Sequence, residues 1–206
     1  TIYPLMPESD NFECETLQMQ WNTIHPPIEP IYSLTERFGY LRLYTREEVM
    51  NEICLPSFVG RRQRHKVFLA RTAMEFTPAA ENEEAGIALV QDDRFHYLMV
   101  LTQKNGKLVL QAYKTENGIK SLLAETEVRD TKRIYLSVQG NTTDYDFYYG
   151  HNDQEMIPLI RGLKASLLSS VINNGFTGTY IGMYTSSNHH SSTNHADFDW
   201  FNYQGE

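Results

Sequence analysis

The stretch Gly86-Ile-Ala-Leu-Val-Gln-Asp-Asp-Arg-Phe-His-Tyr-Leu-Met-Val-Leu-Thr-Gln-Lys-Asn-Gly-Lys-Leu-Val-Leu-Gln-Ala-Tyr-Lys114 decides the fold class. Apolar runs of strand length alternate in it with turn residues, and no run carries the 3.6-residue period of an amphipathic helix. Asn105-Gly106 is the strongest signal, because both central residues of a two-residue hairpin need positive φ. Residues 86–91 and 95–102 therefore read as a hairpin about Asp92-Asp93, and 108–114 as the strand after it. Asn117-Gly118 marks a second turn of the same kind.

The same grammar extends outward. Residues 66–77 read as one long strand ending at Pro78, with Phe68, Ala70, Thr72, Met74 and Phe76 on one face. Further strands are expected at 32–35, 40–44, 121–129, 132–139, 144–149, 179–185 and 196–203. A polar loop rich in Ser, Asn and His separates the last two. Helical spacing is confined to 46–53, which is short, and 163–172, which is ambiguous. About a dozen strands with no compositional break predict a single all-β domain over residues 1–206. Its expected architecture is a two-sheet antiparallel jelly-roll sandwich.

The chain has 206 residues, enough for a substantial core. Its formal net charge of −8 disfavours a phosphate backbone as partner, so no nucleic acid is expected. The dense basic run Arg61-Arg62-Gln63-Arg64-His65-Lys66 is too short and isolated to reverse that. No run approaches 18 apolar residues, and no basic start leads into an apolar segment, so neither a membrane span nor a leader peptide is read. Cys14 and Cys54 read either as a disulfide or as two free thiols. Asn141-Thr142-Thr143 fits an N-glycosylation pattern, which matters only in a secretory host.

Candidate chemistry is sparse. Asp144 with Asp146, and Asp197 with Asp199, are the pairs that strand spacing places on one face, as a hydrolase would need. His189, His190 and His195 lack the spacing of a zinc site. No cofactor is required. A structural calcium is an expectation at Asp10, Glu13, Asp197 and Asp199, because first and last strands of a sandwich often pair and calcium takes six to eight oxygens. Tyr145, Tyr148, Tyr149, Tyr180 and Tyr184 are candidate sugar-stacking rings. Tyr180, Gly182 and Tyr184 share a face that reads either as core or as groove.

Four segments in order carry a resemblance. They are Asp10-Asn-Phe-Glu with Trp21-Asn22 and Ser33-Leu-Thr-Glu-Arg-Phe-Gly-Tyr-Leu-Arg-Leu43; Ser57-Phe-Val-Gly-Arg-Arg-Gln-Arg-His65 with Phe76-Thr-Pro78 and Glu84-Ala-Gly86; Gly175-Phe-Thr-Gly-Thr-Tyr-Ile-Gly-Met-Tyr184; and Ala196-Asp-Phe-Asp-Trp-Phe-Asn-Tyr203. Over residues 10–203 the set resembles the C-terminal concanavalin A-like β-sandwich domain of glycoside hydrolase family 43 β-xylosidases. Phe38 stands where that family has Pro, and 45–56 is irregular against its pattern.

The resemblance implies a sandwich that packs on an N-terminal catalytic propeller absent from this chain. It implies a role on plant xylan-derived oligosaccharides, with Phe176 at the pocket rim excluding water around a sugar. Arg61, Arg62, Gln63 and His65 are expected either at the domain boundary or as a solvated charged turn. Two other readings remain open. One is a stand-alone carbohydrate-binding module using Tyr180 and Tyr184, and the other a free-standing hydrolase at one of the Asp pairs. The Glu-x-Asp-x-x-Glu strand of sandwich glucanases does not occur, and Asp197-Phe-Asp-Trp-Phe-Asn202 comes nearest.

Overall fold

The computed structural model describes residues 8–22, 30–50, 56–168 and 178–206. Fifteen strands follow in chain order among them: β1 (Ser9–Asp10), β2 (Trp21–Asn22), β3 (Tyr32–Ser33), β4 (Leu41–Tyr44), β5 (Ser57–Arg62), β6 (Val67–Glu75), β7 (Glu84–Asp92), β8 (Phe95–Lys104), β9 (Lys107–Glu116), β10 (Ile119–Glu127), β11 (Ile134–Asn141), β12 (Asp144–Gly150), β13 (Ile157–Lys164), β14 (Tyr180–Ser186) and β15 (His195–Gly205). They form two antiparallel sheets. One runs β13-β12-β11-β6-β15-β4-β3 with β1 added to β15, and the other β10-β9-β8-β7-β14-β5-β2. This is the expected sandwich.

Both Asn-Gly turns form as read. Asn105 and Gly106 have φ of 53° and 77°, and Asn117 and Gly118 have 53° and 79°. Between the sheets, Phe68, Ala70 and Met74 of β6 meet Ile87 and Leu89 of β7 and Ile181 and Met183 of β14. Each large side chain fully buried there contributes about 2 kcal/mol.

Three readings change. Strand β13 is absent from the strands read above, and Pro158 and Gly162 interrupt its alternation. It is an edge strand, where a missing N–H is tolerated, and Gly162 sits at a φ of 77° beside a register irregularity with β12. Residues 46–50 are not helical, and among the described part of 163–172 only a 3-10 turn, Ala165–Leu168, is present. Residues 57–62, quoted above only as a motif, form a full strand paired to both β14 and β2.

The 46–50 segment has a task. Its carbonyls at Arg46 and Glu47 accept from Ser187 N (2.8 Å) and His189 N (2.9 Å), and Glu48 O accepts from Ser186 Oγ (2.7 Å). The segment thus straps the outer face of the seven-stranded sheet. Met50 completes a second apolar layer there with Phe58, Ala88, Val90, Leu98, Val100 and Tyr184.

Candidate functional site

The strap leaves a recess uncovered where β5 ends and β14 begins. Alternation along β5 turns Val59 into the core and Phe58 and Arg62 outward, and along β14 it turns Ile181 inward and Tyr180 and Tyr184 outward. The recess has a volume of about 230 Å3. Met19, Gln20 and Asn22 line it beside the sheet edge, with Arg61, Arg62, Arg64 and Tyr180. The Arg62 guanidinium lies 5.8 Å from the Tyr180 ring centroid, with Nη2 3.4 Å from its hydroxyl.

Beneath this recess is a buried polar cluster. The Tyr203 hydroxyl accepts from Arg64 N (3.0 Å) and His65 N (3.1 Å) and lies 3.0 Å from His65 Nδ1. Arg61 lies over the Tyr203 ring at 4.2 Å. Its Nη1 donates to Glu8 O at 3.5 Å, while Tyr203 N donates to the same carbonyl at 2.7 Å. Gln63 accepts from Tyr145 Oη (2.7 Å) and donates to His65 O (2.8 Å). Burial depresses the Arg61 pKa below the usual arginine value and raises that of Tyr145.

These positions correct several expectations. Arg61 and Gln63, each 3% exposed, are held by contacts within the sandwich, with Arg61 at the floor of the recess. His65 is half-buried against Tyr203, and Arg62 is the member of the group left facing outward. Tyr184 is fully buried beneath the strap and offers no ring to a sugar. Tyr145 is likewise buried, whereas Tyr180 stays partly exposed. Phe176 and Cys54 lie outside the described residues, and Cys14 is exposed.

The four acids proposed for calcium are not brought together. β1 does pair with β15, but Asp10 stands opposite Phe201 and its carboxylate holds Trp21 Nε1 and Phe12 N, both at 2.8 Å. Glu13 is exposed. Asp197 is gripped by Arg42 (2.9 Å) and Arg37 (3.1 Å), and Asp199 by Arg133 (2.7 Å). Among the described residues no three His, Cys, Asp or Glu side chains are grouped to hold a metal. The same pairing removes Asp197 and Asp199 as an acid–base couple. Asp146 accepts from Asn141 Nδ2 and Gly162 N, both at 2.8 Å, so that carboxylate is engaged in structure as well.

Sequence reasoning missed the ion network that uses these acids. Glu75 accepts from Arg37 and Arg133, and Arg133 also donates to Tyr40 Oη (2.8 Å). Burial by itself would raise the Glu75 pKa, but the two guanidinium groups outweigh it and hold it below the ordinary carboxylate value. No spacing rule could find the network, because its members come from distant strands and turns.

The fold and the alternation of its outer face define a concanavalin A-like sandwich. The comparisons narrow that class. A family model described as the β-xylosidase C-terminal concanavalin A-like domain matches residues 9–204, and the chain belongs to that family. The chain is 36% identical to a non-reducing end α-L-arabinofuranosidase of Bacteroides ovatus over 98% of its own length and 38% of that protein's. It is 29% identical to a β-xylosidase of Bacillus subtilis, with 96% of this chain and 38% of that protein covered. The crystal structure of a xylan β-1,4-xylosidase from Bacillus halodurans superimposes with a TM-score of 0.88 at 28% identity, covering 98% of this chain and 40% of that one. The chain therefore spans about two fifths of the length of such relatives.

Proposed function

We propose that this chain is the accessory sandwich of a family 43 glycoside hydrolase acting on xylan-derived oligosaccharides. Its recess at Arg62 and Tyr180 faces the catalytic propeller. The observation that carries this reading is the anchoring of Glu8. Its carbonyl is held by Tyr203 N and Arg61 Nη1, directly beneath the recess. In a family whose sandwich is C-terminal, a preceding domain enters here. The 178–180 start of β14 lies at the same end, since Gln63 N donates to Thr179 O at 2.9 Å. The chain supplies surface that shapes the pocket rim and excludes water.

The test is the kcat/KM of the full polypeptide on an aryl xyloside and an aryl arabinofuranoside. Phe176→Ala lowers it by about tenfold or more while the thermal midpoint stays put, as loss of a rim that positions substrate does. An unchanged kcat/KM on both substrates overturns the rim role.

A further inference from the structure

The outer face of the seven-stranded sheet carries a second recess, well apart from the first. Glu84 stands six positions along β7 from Val90, the partner of Tyr180, or about 20 Å of extended chain. Lys120 stands four strands across the sheet from Tyr180. The hollow has a volume of about 240 Å3, and Glu81, Glu84, Gln111, Tyr113, Lys120 and Asn188 are among the residues that line it.

Its groups are oriented before any ligand arrives. The Glu84 carboxylate, 5% exposed, accepts from Asn188 Nδ2 at 2.8 Å and faces Lys120 Nζ at 3.6 Å. The Lys120 ammonium lies 4.2 Å from the Tyr113 ring centroid. The Tyr113 hydroxyl donates to Gln111 Oε1 (2.8 Å), and Gln111 Nε2 donates to Glu125 (2.7 Å). Burial pushes the Tyr113 phenol up to about 12, so it remains a hydrogen-bond donor at neutral pH.

The chemistry of this set selects its ligand. An anion would meet Glu81 and Glu84, and a cation would displace or oppose Lys120. A neutral ligand suffers neither cost. Planar amide and carboxylate groups beside an ammonium, each with lone pairs or protons to share, match vicinal hydroxyls. The Tyr113 ring offers an apolar surface next to them. We propose that this recess binds a neutral saccharide unit, giving the domain its own contact with polysaccharide away from the catalytic pocket. The proposal takes the saccharide class from the reading above and is independent of the contact at Arg62 and Tyr180.

The experiment titrates this 206-residue chain with xylotetraose, and separately with arabinotetraose, while following heat and the ring resonances of Tyr113. Saturable binding of at least one probe is expected, with the Tyr113 signals moving. Gln111→Ala weakens it by about tenfold, the loss of one or two hydrogen bonds. Tyr180→Ala leaves it within about twofold. Lys120→Ala unpairs the buried Glu84, so Gln111→Ala, on a half-exposed position, carries the test, with thermal unfolding confirming its fold. No saturable response to either probe overturns the proposal. So does binding that survives Gln111→Ala. Neither result bears on the Phe176 kinetics of the full enzyme.

Discussion

Tyr203 shows how much one hydroxyl organises. It accepts from two successive backbone N–H groups, at Arg64 and His65, and so fixes the chain between β5 and β6 beneath the recess. Tyr203→Phe keeps the ring and strips both donors of their partner. It lowers the unfolding free energy by about 1 kcal/mol in urea titration, the cost of leaving two part-buried donors without an acceptor. His96 gives the residue-scale pH signature. Burial depresses its pKa to about 4, against a small opposing pull from the Asp92 carbonyl. The unfolded chain protonates His96 near pH 6.5. Between those values the unfolded state holds more protons, so stability is full above about pH 6.5 and falls as pH drops toward 4. The loss from this group is about 3 kcal/mol by pH 4. Unfolding free energies measured from pH 7 to pH 4 should fall more steeply for the natural chain than for His96→Gln, and equal slopes would refute the assignment.

At the scale of elements, close approach and ion pairing set the limits. Gly182 of β14 stands opposite Gly60 of β5. A Cβ on Gly182 would lie 2.2 Å from Val59 O and 2.4 Å from Gly60 Cα, both backbone. A Cβ on Gly60 would strike the Phe58 ring at 2.4 Å, so that glycine lets the ring lie along the sheet beneath the strap. Gly182→Ala is expected to cost about 3 kcal/mol, because the β5–β14 pairing must open, and differential scanning calorimetry reads it. Glu75 joins β6 to the turn before β4 through Arg37, and to the β10–β11 connection through Arg133. Its partners are about 30% exposed, so solvent screens part of the attraction. Glu75→Ala costs about 2 kcal/mol in the same measurement, mainly by leaving Arg133 and Arg37 with fewer acceptors.

For the whole molecule, the chain has its own core between its two sheets and carries carboxylates that are already committed. Asp146, Asp197 and Asp199 all hold hydrogen-bond donors or guanidinium groups. The purified chain is therefore expected to hydrolyse neither aryl xylosides nor aryl arabinofuranosides above the buffer rate. Turnover that disappears on Asp197→Asn would show that a strand carboxylate works on its own. An antibody to the chain, used on its source cells, should detect a polypeptide well above 23.9 kDa; a band near that mass would mean the sandwich works alone.

By itself the sequence determined the fold class and where most of the strands run. Asn-Gly turns force their hairpins locally, and alternation along β6 assigns its two faces without reference to any partner. Family membership was also legible, because it rests on four ordered segments and not on contacts. Period two shows that Tyr180 and Tyr184 share a face, but not what covers it. Only the tertiary structure decided that the strap closes over Tyr184 and leaves Tyr180 beside Arg62. Charge runs have the same limit. Arg61-Arg62-Gln63 reads as one basic patch, yet strand alternation sends Arg61 and Gln63 inward and Arg62 outward. The acids of β15 read as a candidate metal or catalytic pair until Arg37, Arg42 and Arg133, from distant segments, claimed them. Local chemistry fixes what a strand is, whereas the contacts that give a side chain its task come from residues that only the folded chain brings near.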